Sequence, residues 1–218
     1  SKGRFIDPPA KGDWGWTGLG PVHGIVKQFE PYKGRIIIAA RHLAENSKTY
    51  SHVIFSDDNG ESWSIGGSLN LKSTESTVVE LPNGHIMMNS RSGDSVNART
   101  AGISKDGGKT FDPAYIDTQL TEPSGVQGSL LRFGDKILFS NPMSTTARTM
   151  GSIRVSANNG RKWRLYATYS PEGQFSGYSD MVRVEGDVGV LYEWGPTTEK
   201  KDAHKEIRFV KVSGDGLR

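Results

Sequence analysis

The pair Tyr178 and Glu193 poses the first chemical question. They flank the stretch FSGYSDMVRVEGDVGVLYEWG, Phe175 to Gly195, which reads as two short strands joined by a tight Glu185-Gly186-Asp187 turn. In a hairpin, residues equally far from the turn lie at the same end. Tyr178 stands 8 residues before Gly186 and Glu193 stands 7 after it. A phenol and a carboxylate therefore share the end away from the turn. A packed aromatic at a strand start beside a solvated acid explains that pair as well as a working one does. The hairpin alone leaves both readings open.

The elements that position this pair recur along the chain. Turn glycines at Gly34, Gly84, Gly134 and Gly186 are spaced by 50, 50 and 52 residues. Each sits in a short polar turn (YKG, PNG, FGD, EGD) between apolar, β-prone runs. A second feature follows each of the first three at a fixed offset: SDDNGESW from Ser56, SKDGGKTF from Ser104 and SANNGRKW from Ser156. Each unit predicts strand, turn, strand, strand, box turn, strand. Four strands per ~50 residues is the pattern of a β-propeller blade. A β-sandwich has no reason to repeat at that period, and no segment carries sustained helical periodicity. The boxes themselves are expected to be structural. The glycine allows a sharp turn, the Asp or Asn accepts from backbone N–H groups of its own turn, and the terminal aromatic packs back between strands. Asp58, Asp106 and Asn158 fill the acceptor position. Each box has too few oxygen ligands for a calcium cage.

Phasing the blades on their hairpin glycines selects a set of residues at the end away from the turns. Glu75, Gln127 and Tyr178 lie before the turns, and Arg41, Arg91, Asn141 and Glu193 lie 7 residues after them. Arg148 falls in the loop SNPMSTTAR that leaves the same end. Polar and ionisable residues from four blades thus point toward one mouth, which marks a shared site.

Bulk composition bounds the rest. A chain of 218 residues suits one large all-β domain. It has no cysteine, which excludes disulfides, thiolate metal sites and cysteine nucleophiles. A net charge of +3 is too weak to argue for nucleic acid, though a local positive field could draw in an anionic substrate. No apolar run approaches the ~18 residues of a spanning helix. The chain has no initiating Met and no signal-peptide pattern, so Ser1 reads as a processed, cut or engineered beginning. Residues 1–20, rich in Gly and Pro, read as a loop leading into the first module, with Trp14 and Trp16 plugging a gap between modules or lining a site.

Several strings together resemble the bacterial exo-α-sialidases (neuraminidases) of the Asp-box family: GPVHGI, YSHVIFSDDNGESW, ESTVVELPNGHIMMNSR, SNPMSTTARTMGSIR, and GYSDM followed by LYEWG. The resemblance covers nearly the whole chain, and its strength lies in the ordered set of Glu75, Arg91, Arg148 and Tyr178. It implies an all-β, six-bladed propeller, of which residues 1–218 would form the C-terminal part, about four blades of one domain. It implies hydrolysis of terminal sialic acids with retention, without metal or cofactor. Tyr178 would be the nucleophile and Glu75 the carboxylate that takes its proton. Arg91 and Arg148 would hold the substrate carboxylate, and Gln127, Asn141, Glu193, Arg41 and His42 would line or back the pocket. The chemistry is coherent on its own terms. The anomeric carbon of sialic acid bears a carboxylate, so a neutral phenol approaches it without the like-charge repulsion that an Asp or Glu would meet. Flanking arginines are expected to lower the phenol's pKa.

The family pattern is incomplete here. Its first arginine, in an Arg-Ile-Pro context, and its acid/base Asp are expected upstream; Arg35-Ile36 is followed by Ile37, not proline. The chain is expected to need the missing blades as a partner, on the same or a separate chain, and sialylated glycans as its ligands. A secreted, periplasmic or cell-surface location follows from the resemblance alone. Two other readings remain: a non-catalytic carbohydrate-binding or scaffold propeller, and a glycosidase using Glu75 with Glu193, in which the arginines would lack a purpose.

Overall fold

The computed structural model describes residues 11–217 apart from 13, 95 and 124. Four antiparallel sheets follow one another along the chain. The first contains β1 (Thr17–Leu19), β2 (Ile25–Val26), β3 (Ile36–Leu43), β4 (Thr49–Ser56) and β5 (Ser64–Ser68), with β1 and β2 both paired to β3. The second contains β6 (Ser73–Glu80), β7 (Ile86–Ser92), β8 (Ala98–Ser104) and β9 (Tyr115–Thr121). The third contains β10 (Ser129–Phe133), β11 (Lys136–Pro142), β12 (Gly151–Ser156) and β13 (Arg164–Thr168). The fourth contains β14 (Phe175–Val184), β15 (Asp187–Gly195) and β16 (Glu206–Val212). In the second, third and fourth sheets the strands pair in chain order, as do β3, β4 and β5 of the first, as in successive propeller blades, and the all-β expectation holds.

Two details depart from the sequence reading. Residues 17–19 are not loop: they pair with His42, Arg41 and Ala40. The strands flanking Gly186 are long, at 10 and 9 residues, and the turn between them is the two-residue Glu185-Gly186, both with positive φ (49° and 90°). That geometry matches the twist of the strands it joins.

Three apolar layers hold the sheets face to face. Ile37, Ala39 and Val53 pack on Val78, Ile86 and Met88. Val79, Met87 and Ala101 pack on Leu130, Ile137 and Phe139. Leu138, Ile153 and Val155 pack on Met181, Val188, Val190 and Tyr192. Alternation along each strand supplies both faces of the two middle sheets. The fourth sheet buries only one. Val182, Leu191, Ile207 and Phe209 on its other face are 53%, 50%, 65% and 58% exposed.

The boxes behave as turn fasteners. Asp106 accepts from Ser104 Oγ (2.8 Å), Thr110 N (2.9 Å) and Thr110 Oγ1 (2.6 Å), while Gly108 N donates to Ser104 Oγ (2.8 Å). Asp58 and Asn158 take equivalent bonds from Ser62 N (2.9 Å) and Lys162 N (2.8 Å). A fourth copy of the opening, unmarked by the sequence reading, begins after β16: Ser213 Oγ donates to Asp215 Oδ2 (3.1 Å), and Leu217 stands where the other boxes have glycine.

Burial opposes ionisation of Asp106, but the bonds from Thr110 and Ser104 outweigh it and hold the carboxyl below its usual range. A lowered native pKa contributes stability above the unfolded pKa and loses it as pH falls through the native one. Asp106→Ala is expected to cost about 1–2 kcal/mol in chemical denaturation at neutral pH. Asp106→Asn should cost less, since Asn158 serves the third box. The Asp106→Ala deficit should shrink in acid.

Candidate active site

The first strands of the second, third and fourth sheets pack side by side. Leu130 N on β10 donates to Thr77 Oγ1 on β6 (3.1 Å), and Ser129 Oγ on β10 donates to Asp180 Oδ1 on β14 (2.8 Å). The pairing of β6 with β7 slips between Ser73 and Ser76, and that of β14 with β15 slips between Ser176 and Ser179. Glu75 and Tyr178 both sit within these irregularities. A bulge re-aims the side chain at the place where regular pairing would fix it.

The two bulges bring Tyr178 Oη to 2.6 Å from both oxygens of Glu75, across 103 residues of chain. Glu75 is nearly buried and carries two further partners. Arg41 Nη1 approaches Oε1 at 3.3 Å and Arg91 Nη1 approaches Oε2 at 3.1 Å. The guanidinium of Arg148 lies 5.3 Å from the centre of the Tyr178 ring, and its Nη2 donates to the carbonyl of Gly125 at 2.7 Å. Side chains from all four sheets, or loops leaving them, thus converge on one phenol and one carboxylate.

Glu193 reaches the same place by a different contact. Its Oε2 accepts from the backbone N–H of Tyr178 at 2.9 Å and lies 3.4 Å from His204 Nδ1. A Cβ on Gly177 would stand 2.1 Å from that oxygen, so only glycine lets Glu193 approach. Glu193 therefore holds the backbone of Tyr178, and the phenol faces Glu75.

Other predicted residues have different partners. Gln127 is buried behind Tyr178, its amide engaged by the neighbouring backbone: Nε2 donates to Ser179 O (2.9 Å) and Oε1 accepts from Ser179 N (3.0 Å). Asn141 is fully buried and bonds Arg154 Nη2 and Thr121 O, so it does not form the pocket wall. It shares its offset with Arg41 and Arg91, but a short amide stays in the gap between sheets, whereas a long guanidinium reaches over the strand end. His42 is also absent from the mouth. It follows Arg41, so it faces the other side of β3, where Trp14 stacks on it at 3.7 Å and His52 Nδ1 lies 3.1 Å away. Burial, then His42, holds the pKa of His52 down to about 3. Trp14 is thus a plug over the first sheet, while Trp16 is exposed and lies 5.4 Å from the Arg41 guanidinium.

Two residues escaped the sequence reading. His23 Nδ1 meets Asp180 Oδ1 at 2.7 Å, tying the segment before β2 to the strand that carries Tyr178. The strings GPVHGI and GYSDM contain both, but no period links them. Gly125 is the other, in a loop without a pattern.

The electrostatics correct one expectation. The phenol of Tyr178 is pushed above its ordinary value, not below it. Burial is the largest cause, and the hydrogen bond to Glu75 and its charge add to it. Arg91 and Arg148 pull the other way and lose. The phenol is therefore neutral in the resting site.

Repeated antiparallel sheets of three to five strands, box turns and a tyrosine–carboxylate–arginine mouth define a β-propeller of the Asp-box class. The family described as BNR repeat-like domain matches residues 4–190, and the chain belongs to it. It is 31% identical over 204 residues to a sialidase of Micromonospora viridifaciens, covering 88% of this chain and 31% of that protein. It is 33% identical over 219 residues to a sialidase of Paraclostridium sordellii, covering 93% of this chain and 53% of that one. The solved structure of the Hadza microbial sialidase Hz136 superposes with a TM-score of 0.76 at 27% identity, covering 94% of this chain and 39% of that one. The chain therefore spans between about a third and a half of the length of these curated relatives.

Glu75→Gln should lower the Tyr178 pKa. The hydrogen bond to a charged acceptor and the adjacent negative charge both disappear, leaving the arginines less opposed. Titrating ring-labelled tyrosine by NMR checks the direction; an unchanged or higher value would contradict the assigned causes.

Proposed function

We propose that this chain carries the nucleophilic half of an exo-α-sialidase, acting on terminal sialic acids of glycoconjugates with retention through a sialyl–tyrosine intermediate. The observation that carries the reading is the 2.6 Å contact of the Tyr178 phenol with both oxygens of Glu75, with Arg91 and Arg148 beside it.

The arginine forks would hold the carboxylate on the anomeric carbon in a planar, paired contact that lysine does not copy. Tyr178 Oη would then attack that carbon as its proton passes to Glu75. A raised phenol pKa favours proton transfer during attack over a preformed phenolate, which fits a base in contact with the phenol. The bond to the leaving glycosidic oxygen breaks as the Tyr178–carbon bond forms. Water later attacks the same carbon from the vacated side as the Tyr178–carbon bond breaks; the water gives a proton to the group that had protonated the leaving oxygen, Glu75 returns its proton to the phenol, and two displacements give retention.

The group that protonates the leaving oxygen, and a third arginine, are assigned to blades outside residues 1–218. The exposed apolar face of the fourth sheet supports a ring larger than four blades, since Val182, Leu191, Ile207 and Phe209 want a cover. On this reading the isolated chain has little or no turnover on a fluorogenic sialoside.

In the protein carrying the whole ring, Tyr178→Phe should lower kcat by about a thousandfold or more while changing affinity for sialic acid by less than about threefold. Turnover near wild type would overturn the nucleophile role, and a whole ring that binds sialosides without turning them over would favour the scaffold reading.

A further inference from the structure

We propose that Gly125 is the positioning residue that sets the spacing of Arg91 and Arg148, an inference that rests on reading those two arginines as the holders of the substrate carboxylate. Two like-charged guanidinium groups must stand side by side to grip one carboxylate, against their mutual repulsion. Gly125 touches both. Its carbonyl accepts from Arg148 Nη2 at 2.7 Å. Its Cα faces Arg91 so closely that a Cβ built there would lie 2.5 Å from Arg91 Nη2 and 3.0 Å from Cζ. One backbone unit therefore docks one arginine and limits the other.

A spacer works only if it cannot move. Glu122, Val126 and Gln127, on the two sides of Gly125, are anchored. Glu122 is fully buried and pairs with Arg99 Nη1, which also donates to Val126 O at 2.7 Å. Gln127 is clasped to the backbone of Ser179, next to Tyr178. The anchoring thus references the arginine pair to the strand that carries the phenol. A φ of 81° at Gly125 suits glycine, and asparagine tolerates that region better than other residues.

The atoms a new Cβ would strike are the far end of a flexible side chain. The lesion therefore falls on Arg91's position more than on folding, which makes it measurable. In the protein carrying the whole ring, KM and kcat on a fluorogenic sialoside are compared for wild type, Gly125→Ala, Arg91→Lys and the double variant, with thermal unfolding as a control. Gly125→Ala should raise KM about tenfold with a smaller change in kcat, and the double variant should be no worse than Arg91→Lys alone, because the clash has lost its target. Multiplied effects in the double variant, or a KM unmoved by Gly125→Ala, would overturn the spacer role. An Arg91→Lys variant that binds as wild type would overturn the carboxylate reading beneath it, and the spacer role with it. Gly125→Asn repeats the cycle with less backbone strain. If neither variant folds, the glycine serves folding and not spacing, and the proposal falls.

Discussion

The carboxylate of Glu75 is the interaction on which the rest of the site depends. It is almost buried, and a buried charge is tolerated only when paired and hydrogen-bonded. Its partners come from three sheets: Arg41 from the first, Arg91 from its own, and Tyr178 from the fourth. The Arg91 contact lies within one sheet, but those with Arg41 and Tyr178 form only when the sheets have packed. The apolar layers between blades therefore do more than stabilise the ring. They set the distances at which one carboxylate can be shared between two cations and a phenol.

The surrounding structure restricts what that phenol can do. Glu193 and Gln127 grip the backbone on either side of the Tyr178 bulge, and the His23–Asp180 contact holds the strand two residues further on. The backbone is thus fixed by polar contacts, while the ring is left partly open to the mouth. The charge balance leaves the phenol neutral and hydrogen-bonded to its acceptor. That is the ground state a concerted attack on an anionic substrate requires, since a standing phenolate would meet the substrate carboxylate with like charge.

The fold was legible because its information is local and periodic. A turn glycine every 50 residues or so, with a box at a fixed offset, needs no long-range reasoning, and each glycine does close a hairpin. The site was legible to the extent that phase determines which end of a strand a residue occupies. Phase does not determine side-chain reach or face. Hence Arg41 and Arg91 arrive at Glu75 while Asn141, at the same offset, turns to Arg154, and His42 falls on the back of its strand. The bulges that aim Glu75 and Tyr178 leave no mark in the hydrophobic pattern. Neither does the loop bearing Gly125, whose importance lies in a missing Cβ. The arginines alone give the wrong sign for the phenol's shift, because burial, which phase does not reveal, outweighs them.

The central claim is that Tyr178 forms a bond to the anomeric carbon of the substrate. The direct measurement is mass spectrometry of peptides from the complete protein after exposure to a fluorinated sialosyl donor that forms the glycosyl–enzyme but releases it slowly. The account predicts one added sialosyl group on the peptide containing Tyr178, and none in Tyr178→Phe. A label on a carboxylate such as Glu75 or Glu193, with Tyr178 unmodified, would contradict it.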